Sequence, residues 1–210
     1  LNTQIPGSYN DFIRAYAACC RFADAQIGRV LDALDSSPRR DNTIIVLWSD
    51  HGFHLGEKDH IEKFGLWEKT NRIPFIVVAP GVTAADSRCD TPVDLSVLYP
   101  TLLELVGLPA DSKCDGVSIM KILKEPETEW ERPALMTYGL GNHAVRSDRW
   151  RYIRYADGTE ELYDHMKDPH EWTNIAADPK YRDVITSHKN WLPKKEAEPV
   201  PPLKKKGRKQ

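Results

Sequence analysis

Cysteine, net charge and long apolar segments are all scarce in this sequence of 210 residues. Its four cysteines are Cys19, Cys20, Cys89 and Cys114, and no two of them have the C-x-x-C spacing of a metal-binding or redox pair. We therefore expect free, buried thiols, with a Cys89–Cys114 disulfide as the alternative. Cysteine usage alone does not identify the redox compartment of the protein.

The charge and the apolar pattern exclude two further classes of protein. A formal net charge of −2 gives no overall field that would attract nucleic acid. No apolar run approaches the ~20 residues of a membrane-spanning helix. With 40% apolar and 29% charged residues, the composition is that of a globular domain. The first residues carry no secretory signal, and they resemble the interior of a longer sequence.

The stretch from Thr43 to Lys63 concentrates the side chains that carry chemistry. It opens with a β-branched apolar run, residues 44–48, which predicts a buried strand. Asp50 and His51 follow where that strand ends, and in open α/β sheets ligands bind beyond the carboxyl ends of the strands. A carboxylate and an imidazole at such a place can bind a metal ion.

The loop after the strand also has a plainer interpretation. An aspartate at a strand end often only caps a neighbouring backbone N–H in a turn. Two observations favour a site: Gly52 and Gly56 allow close passage of the backbone, and ionisable residues are dense here. They are His54, Glu57, Lys58, Asp59, His60 and Lys63. We expect His54 and His60 to be surface histidines, with the substrate rim as the alternative.

Helices and strands alternate along the first part of the chain. The predicted elements are a helix from Ser8 to about Ser36, strands at 43–48 and 73–79, a short helix at 64–70 and a helix at 95–106. The first helix has an apolar stripe that we expect to pack on a core. This alternation indicates an α/β layer sheet, which we assign to residues 1–125.

A different pattern begins after a segment rich in Pro, Glu and Trp at residues 124–132. Short runs separated by turn residues predict an antiparallel sheet, with strands at 134–138, 143–147, 150–155 and 161–163. A helix from Pro179 to Leu192 would cover one face of this sheet. We assign residues 126–195 to a small C-terminal α+β subdomain and residues 196–210 to a disordered basic tail.

Short motifs run in order through nearly the whole chain. They are Phe22–Arg29, Ser49–Gly52, Leu55–Glu57, Lys63, Leu66–Glu68, Arg72–Pro74, Ala79–Gly81, Asp94–Leu102, Asp115–Ser118, His143–Arg146, Glu161–Asp164 and Lys167–Asn174. Together they resemble the C-terminal half of a sulfatase, most closely of the iduronate-2-sulfatase-like branch. The resemblance implies part of an alkaline-phosphatase-like α/β sandwich followed by a small antiparallel sheet with a packing helix.

The resemblance also implies a reaction and a set of site residues. Sulfatases hydrolyse sulfate esters with a formylglycine nucleophile and a bound divalent cation, most often Ca²⁺. Asp50 stands at the position of a metal ligand, and His51 at a position that faces both metal and nucleophile. Lys63 stands where a lysine contacts the sulfate and the leaving oxygen. We therefore assign catalytic roles to Lys63 and His51, metal binding to Asp50 and His51, and substrate binding to Lys63, with His143 and His60 as weaker candidates.

Elementary chemistry supports these assignments unequally. Calcium prefers oxygen ligands, so Asp50 suits it well. His51 is less suited to a hard cation, and it can instead hydrogen-bond the nucleophile or substrate, or bind a softer metal. Lys63 would neutralise charge that develops on the sulfuryl group.

The nucleophile that the resemblance requires is missing from this chain. Formylglycine arises from a Cys or Ser in a C/S-x-P-x-R context, and none of the four cysteines fits it. Ser36–Arg40 matches formally, but it ends a predicted helix directly before the strand that carries the site. We therefore expect the N-terminal half of the same enzyme to supply the nucleophile and most metal ligands. The 210-residue chain alone is expected to be inactive.

Three functions stay open at this point. The first is a sulfuric ester hydrolase acting on a sulfated small molecule or saccharide. The second is a metal-dependent phosphodiesterase or phosphatase of the same superfamily, although Lys63 and Leu66–Glu68 speak against it. The third is a non-catalytic fragment or binding module. By family analogy the protein would be periplasmic or extracellular, and no nucleic-acid partner is expected.

Overall fold

A computed structural model of the protein describes residues 9–197. The helices are α1 (Tyr9–Asp35), α2 (Glu68–Asn71), α3 (Leu98–Leu105), α4 (Met120–Lys124) and α5 (Arg182–Lys189). The strands are β1 (Ile45–Trp48), β2 (His54–Leu55), β3 (Ile61–Glu62), β4 (Phe75–Val78), β5 (Ala134–Thr137), β6 (His143–Arg146), β7 (Trp150–Arg154) and β8 (Glu160–Asp164). The order confirms the predicted α/β architecture with an antiparallel sheet at its end. The predicted start at Ser8 and residues 198–210 of the predicted tail at 196–210 lie outside the described residues. Glu196, which was assigned to that tail, is described and contacts Gly141 and His143.

Helix α1 is 27 residues long and ends just before Ser36, as predicted. The apolar stripe was expected to pack on a core, yet none of the helix residues is buried. Phe12 and Tyr16 approach the ring of Phe53, with centroid distances of 6.3 and 5.4 Å. Farther along the helix, Phe22 and Val30 stay 68% and 69% exposed because nothing among residues 9–197 covers them.

Strands β1 and β4 pair with each other in antiparallel register, with Ile45 opposite Val78 and Trp48 opposite Phe75. They form a two-stranded sheet. Trp48, Ile76 and Val78 keep large exposed surfaces, so this sheet is only partly covered. The strand predicted at residues 44–48 is therefore present, but the expectation that it is buried is wrong within the described chain. Phe75 of β4 packs against a small core next to α3 and α4, which consists of Val97, Ile119 and Ile122.

Strands β5 to β8 form a four-stranded antiparallel sheet in sequential order. Because side chains alternate along each strand, its two faces pack against different partners. One face carries Val145, Tyr152 and Leu162 and is covered by Ile185 in α5 and by Leu192 just after it. The predicted covering helix is therefore confirmed.

The opposite face of this sheet carries Ala144, Ile153 and Tyr163. These side chains pack against Leu66, which belongs to the segment between β3 and α2. The small sheet thus forms the support on which the loop from β2 to α2 rests.

All four cysteines are free, as expected, and no Cys89–Cys114 disulfide forms. The expectation that they are buried is wrong for Cys19, Cys20 and Cys89, which are exposed. Cys19 and Cys20 lie on α1, beyond the part of the helix that packs against Phe53. Within residues 9–197, no helix combines the length and apolarity needed to cross a membrane.

Candidate functional site at the end of strand β1

Asp50 and His51 lie directly after β1 and contact each other. His51 Nε2 is 3.6 Å from Asp50 Oδ1. His51 Nδ1 lies 2.7 Å from the carbonyl oxygen of Gly52, which can only accept, so Nδ1 carries the proton in the neutral ring. The lone pair of His51 Nε2 then faces the carboxylate of Asp50. A cation or a proton between these two acceptors would stabilise the pair.

The carboxylate of Asp50 is free to bind a further partner. Its side chain is 82% exposed, and that of His51 is 34% exposed. Within residues 9–197, Asp50 has His51 as its one ionic neighbour and makes no hydrogen bond through its side chain. Carboxylate oxygens are the ligands that Ca²⁺ and Mg²⁺ prefer, so this residue fits a hard divalent cation.

Gly52 fixes the turn that presents this pair. Its N–H donates to the carbonyl of Thr70 at 2.8 Å. A Cβ atom at this position would lie 2.1 Å from the carbonyl oxygen of Lys69 and 2.9 Å from that of Arg72. Only glycine therefore allows the backbone after His51 to pass this close to α2.

Lys63 follows β3 and is exposed. Its ammonium lies 5.6 Å from the centroid of the Phe64 ring and forms no ion pair with any residue of the described chain. It makes no direct contact with Asp50 or His51 there. An exposed ammonium without a counter-ion is available to an anionic ligand.

His54 and His60 pack against each other and against Trp67 instead of lying on the surface, with His54 buried and His60 half-buried. Their ring centroids are 5.2 Å apart, and both rings approach Trp67 edge-on. His54 is buried, contrary to expectation, and its Nδ1 contacts the carbonyl of Glu57 at 3.0 Å. Burial lowers the pKa of His54 and keeps the ring neutral. Nε2 of His60 is buried, and no residue of the described chain bonds to it.

His143 lies on β6 and is also buried. Its Nδ1 is 2.9 Å from the hydroxyl of Thr137, and its Nε2 is 3.2 Å from Glu196 Oε1. Glu196 further accepts a hydrogen bond from the Gly141 N–H and lies 4.0 Å from Arg154. This histidine therefore pairs with Glu196, and within residues 9–197 no hydrogen bond or ion pair joins it to Asp50 or His51.

A second cluster of charged residues lies between the loop and the small sheet, and sequence reasoning missed it. Glu68, His165 and Glu171 offer ligand atoms within 4.8 Å of one another. Two arginines enter the same cluster: Arg146 lies 3.3 Å from Glu68, and Arg151 lies 2.7 Å from Glu171 and contacts Glu68.

The arginines make this cluster an ion-pair network rather than a metal site. Nη2 of Arg146 donates to Nδ1 of His165 at 3.1 Å, so Nδ1 must be an acceptor. His165 Nε2 then carries the proton and donates to Glu171 at 2.9 Å. No histidine lone pair remains for a cation. Burial alone would raise the pKa of Glu68, but the guanidinium groups of Arg151 and Arg146 outweigh it and lower the pKa to about 2.

One signal in the sequence pointed to this network. Arg151 lies inside a predicted strand, between apolar residues on both sides. A charged residue in such a run is either exposed or paired when buried. Its partners lie 83 residues earlier at Glu68 and 20 residues later at Glu171, and no spacing rule connects them.

Two family models match this sequence. The model described as sulfatase matches residues 2–108, and the model described as N-sulphoglucosamine sulphohydrolase, C-terminal, matches residues 56–198. The chain belongs to the sulfatase family. The Asp50–His51 pair and Lys63 lie within the first match, and the small sheet of strands β5 to β8 lies within the second.

Individual relatives agree with this assignment. A sulfatase of Formosa agariphila is 45% identical over 191 residues, which are 91% of this chain and 38% of the relative. A Delta 4,5-hexuronate-2-O-sulfatase of Bacteroides thetaiotaomicron is 30% identical over 198 residues, covering 88% of this chain and 41% of the relative. The chain thus spans about two fifths of the length of these sulfatases.

The solved structures show the same architecture. A structure determined in complex with its substrate D-glucosamine-2-N,6-O-disulfate superimposes with a TM-score of 0.75 at 26% identity. The match covers 87% of this chain and 40% of that protein. The predicted α/β class, with an alkaline-phosphatase-like fold in its sulfatase neighbours, is therefore confirmed.

Proposed function

We propose that this chain is the C-terminal portion of a sulfuric ester hydrolase that cleaves sulfate esters of saccharides. The observation that carries the proposal is the convergence of the Asp50 carboxylate with the His51 lone pair at the end of β1. Lys63 follows the pair along the same loop region and forms no ion pair with any residue from 9 to 197. All three lie in a chain of the sulfatase family.

In this proposal Asp50 binds a divalent cation, and Ca²⁺ is the best match to its oxygen ligands. Calcium takes 6–8 ligands, so the remaining ones come from the other part of the enzyme. His51 either completes the metal shell or hydrogen-bonds the nucleophile through Nε2. When bound, the cation polarises the sulfate oxygens and favours the ionised nucleophile.

Lys63 contributes electrostatic stabilisation in this proposal. An ammonium placed at the sulfuryl oxygens or the leaving oxygen offsets the negative charge that develops in the transition state. His60 and His143 stay secondary proposals for substrate binding. His143 would reach a substrate only if Glu196 moved away from its ring.

The nucleophile would come from the N-terminal portion of the same enzyme, where we place the formylglycine. The exposed apolar surface of α1, β1 and β4 supports this view. It includes Phe22 and Val30 on the helix and Trp48, Ile76 and Val78 on the strands. A two-stranded sheet is marginally stable alone, and large apolar side chains exposed on neighbouring elements are expected where another part of the protein packs. The length of the relatives leaves about three fifths of a sulfatase to cover it.

An activity assay with two preparations tests the proposal. One is the 210-residue chain alone, and the other is a fusion of this chain to the N-terminal portion of the Formosa relative. With a chromogenic aryl sulfate and with sulfated glucosamine and uronate saccharides, we expect no turnover by the chain alone, with or without Ca²⁺. We expect turnover of sulfate esters by the fusion.

Three results would contradict it. Turnover by the isolated chain that disappears in Asp50→Ala would mean that the site is complete within these residues. Hydrolysis of phosphate diesters but not of sulfate esters by the fusion would favour a phosphodiesterase. A folded fusion without activity on any of these esters would favour a binding module.

A further inference from the structure

Glu171 occupies an unusual place in the protein. It belongs to the turn after β8, and its N–H donates to the carbonyl of Asp168 at 3.1 Å. The residue is 1% exposed, although charged side chains are rarely buried unless they are paired. Its backbone φ is +60°, a left-handed conformation that a residue with a side chain seldom adopts. Strained residues of this kind persist where several neighbours hold them in place.

Both the side chain and the backbone of Glu171 reach the loop that carries Lys63. Oε2 accepts a hydrogen bond from the backbone N–H of Glu68 at 2.8 Å. The carbonyl oxygen of Glu171 accepts a hydrogen bond from the ammonium of Lys58. The other carboxylate oxygen, Oε1, faces Arg151 Nε at 2.7 Å and His165 Nε2 at 2.9 Å, which tie it to the small sheet.

The two contacts bracket Lys63 in the sequence. Lys58 precedes it by five residues and Glu68 follows it by five residues. The ammonium of Lys58 also lies over the rings of Trp67 and Tyr163, at 5.0 and 4.7 Å from their centroids.

Lys63 itself is exposed, and within residues 9–197 no hydrogen bond or ion pair joins its side chain to the sheet. Its position therefore depends on how its loop is held, through the packing of Phe64 on Tyr138 and through the two ends of the loop.

We propose that Glu171 is a positioning residue for Lys63: it holds both ends of the segment 58–68 on the C-terminal sheet. Glu171 touches neither the sulfate nor the metal in this account, and it acts through Lys58 and Glu68. The proposal rests on the proposed function, because it takes Lys63 as the group that contacts the sulfate. A displacement of about 1 Å in a catalytic group can lower the rate by about 100-fold, which is why such a support matters.

The first test uses the 210-residue chain itself. Glu171→Gln removes the charge at nearly constant size, and Glu171→Asp keeps the charge on a shorter side chain. Both variants keep the backbone carbonyl that binds Lys58, so they test the hold of the side chain on Glu68 and on the sheet. Asp178→Asn is the matched control, because Asp178 pairs with the neighbouring Lys180 and, within the described chain, forms no hydrogen bond or ion pair with residues 58–68. Amide hydrogen exchange is measured residue by residue over the whole chain.

In Glu171→Gln we expect exchange at residues 58–66 to be at least about tenfold faster, with β6 and β7 unchanged. Glu171→Asp should lie between this variant and the original chain, and Asp178→Asn should match the original. Unchanged exchange at residues 58–66 in Glu171→Gln would overturn the proposal. Equal acceleration throughout the sheet would also overturn it, since Glu171 would then support the fold as a whole.

The second test is a double-substitution cycle in the active fusion. Glu171→Gln should lower kcat about 10- to 100-fold with little change in KM. In a Lys63→Ala background the same substitution should cost less than about threefold, because the group that it positions is gone. Equal losses in both backgrounds would show a structural role and contradict the proposal. A fusion that is inactive before any substitution refutes the proposed function instead, and the exchange experiment still decides the role of Glu171.

Discussion

Arg151 Nη1 donates a hydrogen bond to the carbonyl oxygen of Leu66 at 3.0 Å, across 85 residues of sequence. This bond joins β7 of the small sheet to the segment that follows Lys63. The same arginine contacts the carboxylates of Glu68 and Glu171. One guanidinium of the sheet therefore binds the Leu66 carbonyl and two carboxylates at once. The small sheet therefore serves as the platform of the candidate site.

Replacing Arg151 should destabilise the chain strongly. Arg151→Ala leaves Glu68 and Glu171 buried without their common counter-ion, and breaking a buried pair in this way costs about 3–5 kcal/mol. Arg88→Ala is the control, because the Arg88–Asp90 pair is exposed and such pairs contribute about 0–1 kcal/mol. Urea unfolding followed by tryptophan fluorescence measures both. Similar losses of unfolding free energy in the two variants would show that the ion-pair network adds little to stability.

Glu68 should make stability fall in acid. Its pKa of about 2 in the folded protein lies below the value of about 4.3 expected for an unfolded chain. The unfolded state therefore binds the proton first, so this stabilisation is full above the unfolded pKa and is lost as pH falls through the folded pKa.

The measurement is the free energy of unfolding of the original chain and of Glu68→Gln between pH 7 and pH 2. We expect a difference of about 3 kcal/mol near neutral pH that shrinks from about pH 5 downward. A difference that stays constant over this range would mean that Glu68 keeps an ordinary pKa in the folded protein.

Gly52 and Gly28 should respond to alanine in opposite ways. At Gly52 the new Cβ would meet the carbonyl of Lys69 at 2.1 Å, so Gly52→Ala should displace the Asp50–His51 turn and destabilise the chain. At Gly28, inside α1, nothing lies within 4 Å of the new Cβ. Alanine there should stabilise the helix by about 0.5–1 kcal/mol. Thermal unfolding compares the two, and a gain in Gly52→Ala would refute the account of the turn.

Leu66 should contribute more to stability than its neighbour Phe64. Leu66 is buried against Ala144, Ile153 and Tyr163, and Leu66→Ala should cost about 2–5 kcal/mol. Phe64 is half exposed, and Phe64→Ala should cost less than about 1.5 kcal/mol. Denaturant unfolding distinguishes them. Equal costs would mean that the loop is not anchored through Leu66.

The local elements were predictable because their signals are local. Apolar periodicity located α1 and the strands of the small sheet, and the break after residues 44–48 located Asp50 and His51. The surroundings of α1 were not predictable, since an apolar stripe shows that a helix packs but not whether its partner lies in the same chain.

The supporting network was beyond sequence reasoning for a related reason. Glu171 meets Lys58 and Glu68 across more than 100 residues, and no periodicity records such contacts. The burial of His54 was missed because Trp67 and His60 cover it only after the loop closes on itself. The domain boundary near residue 125 and the roles of Lys63, His51 and Asp50 stay predictions.

The most direct measurement of the central claim is kcat/KM for an aryl sulfate in the fusion that carries Asp50→Ala or Lys63→Ala. Asp86→Ala is the control, because Asp86 is exposed and lies outside the loop. If Asp50 binds the metal and Lys63 contacts the sulfate, each substitution should lower kcat/KM by at least about 100-fold, while the control leaves it unchanged. Full activity in Asp50→Ala or Lys63→Ala would contradict the assignment of this site.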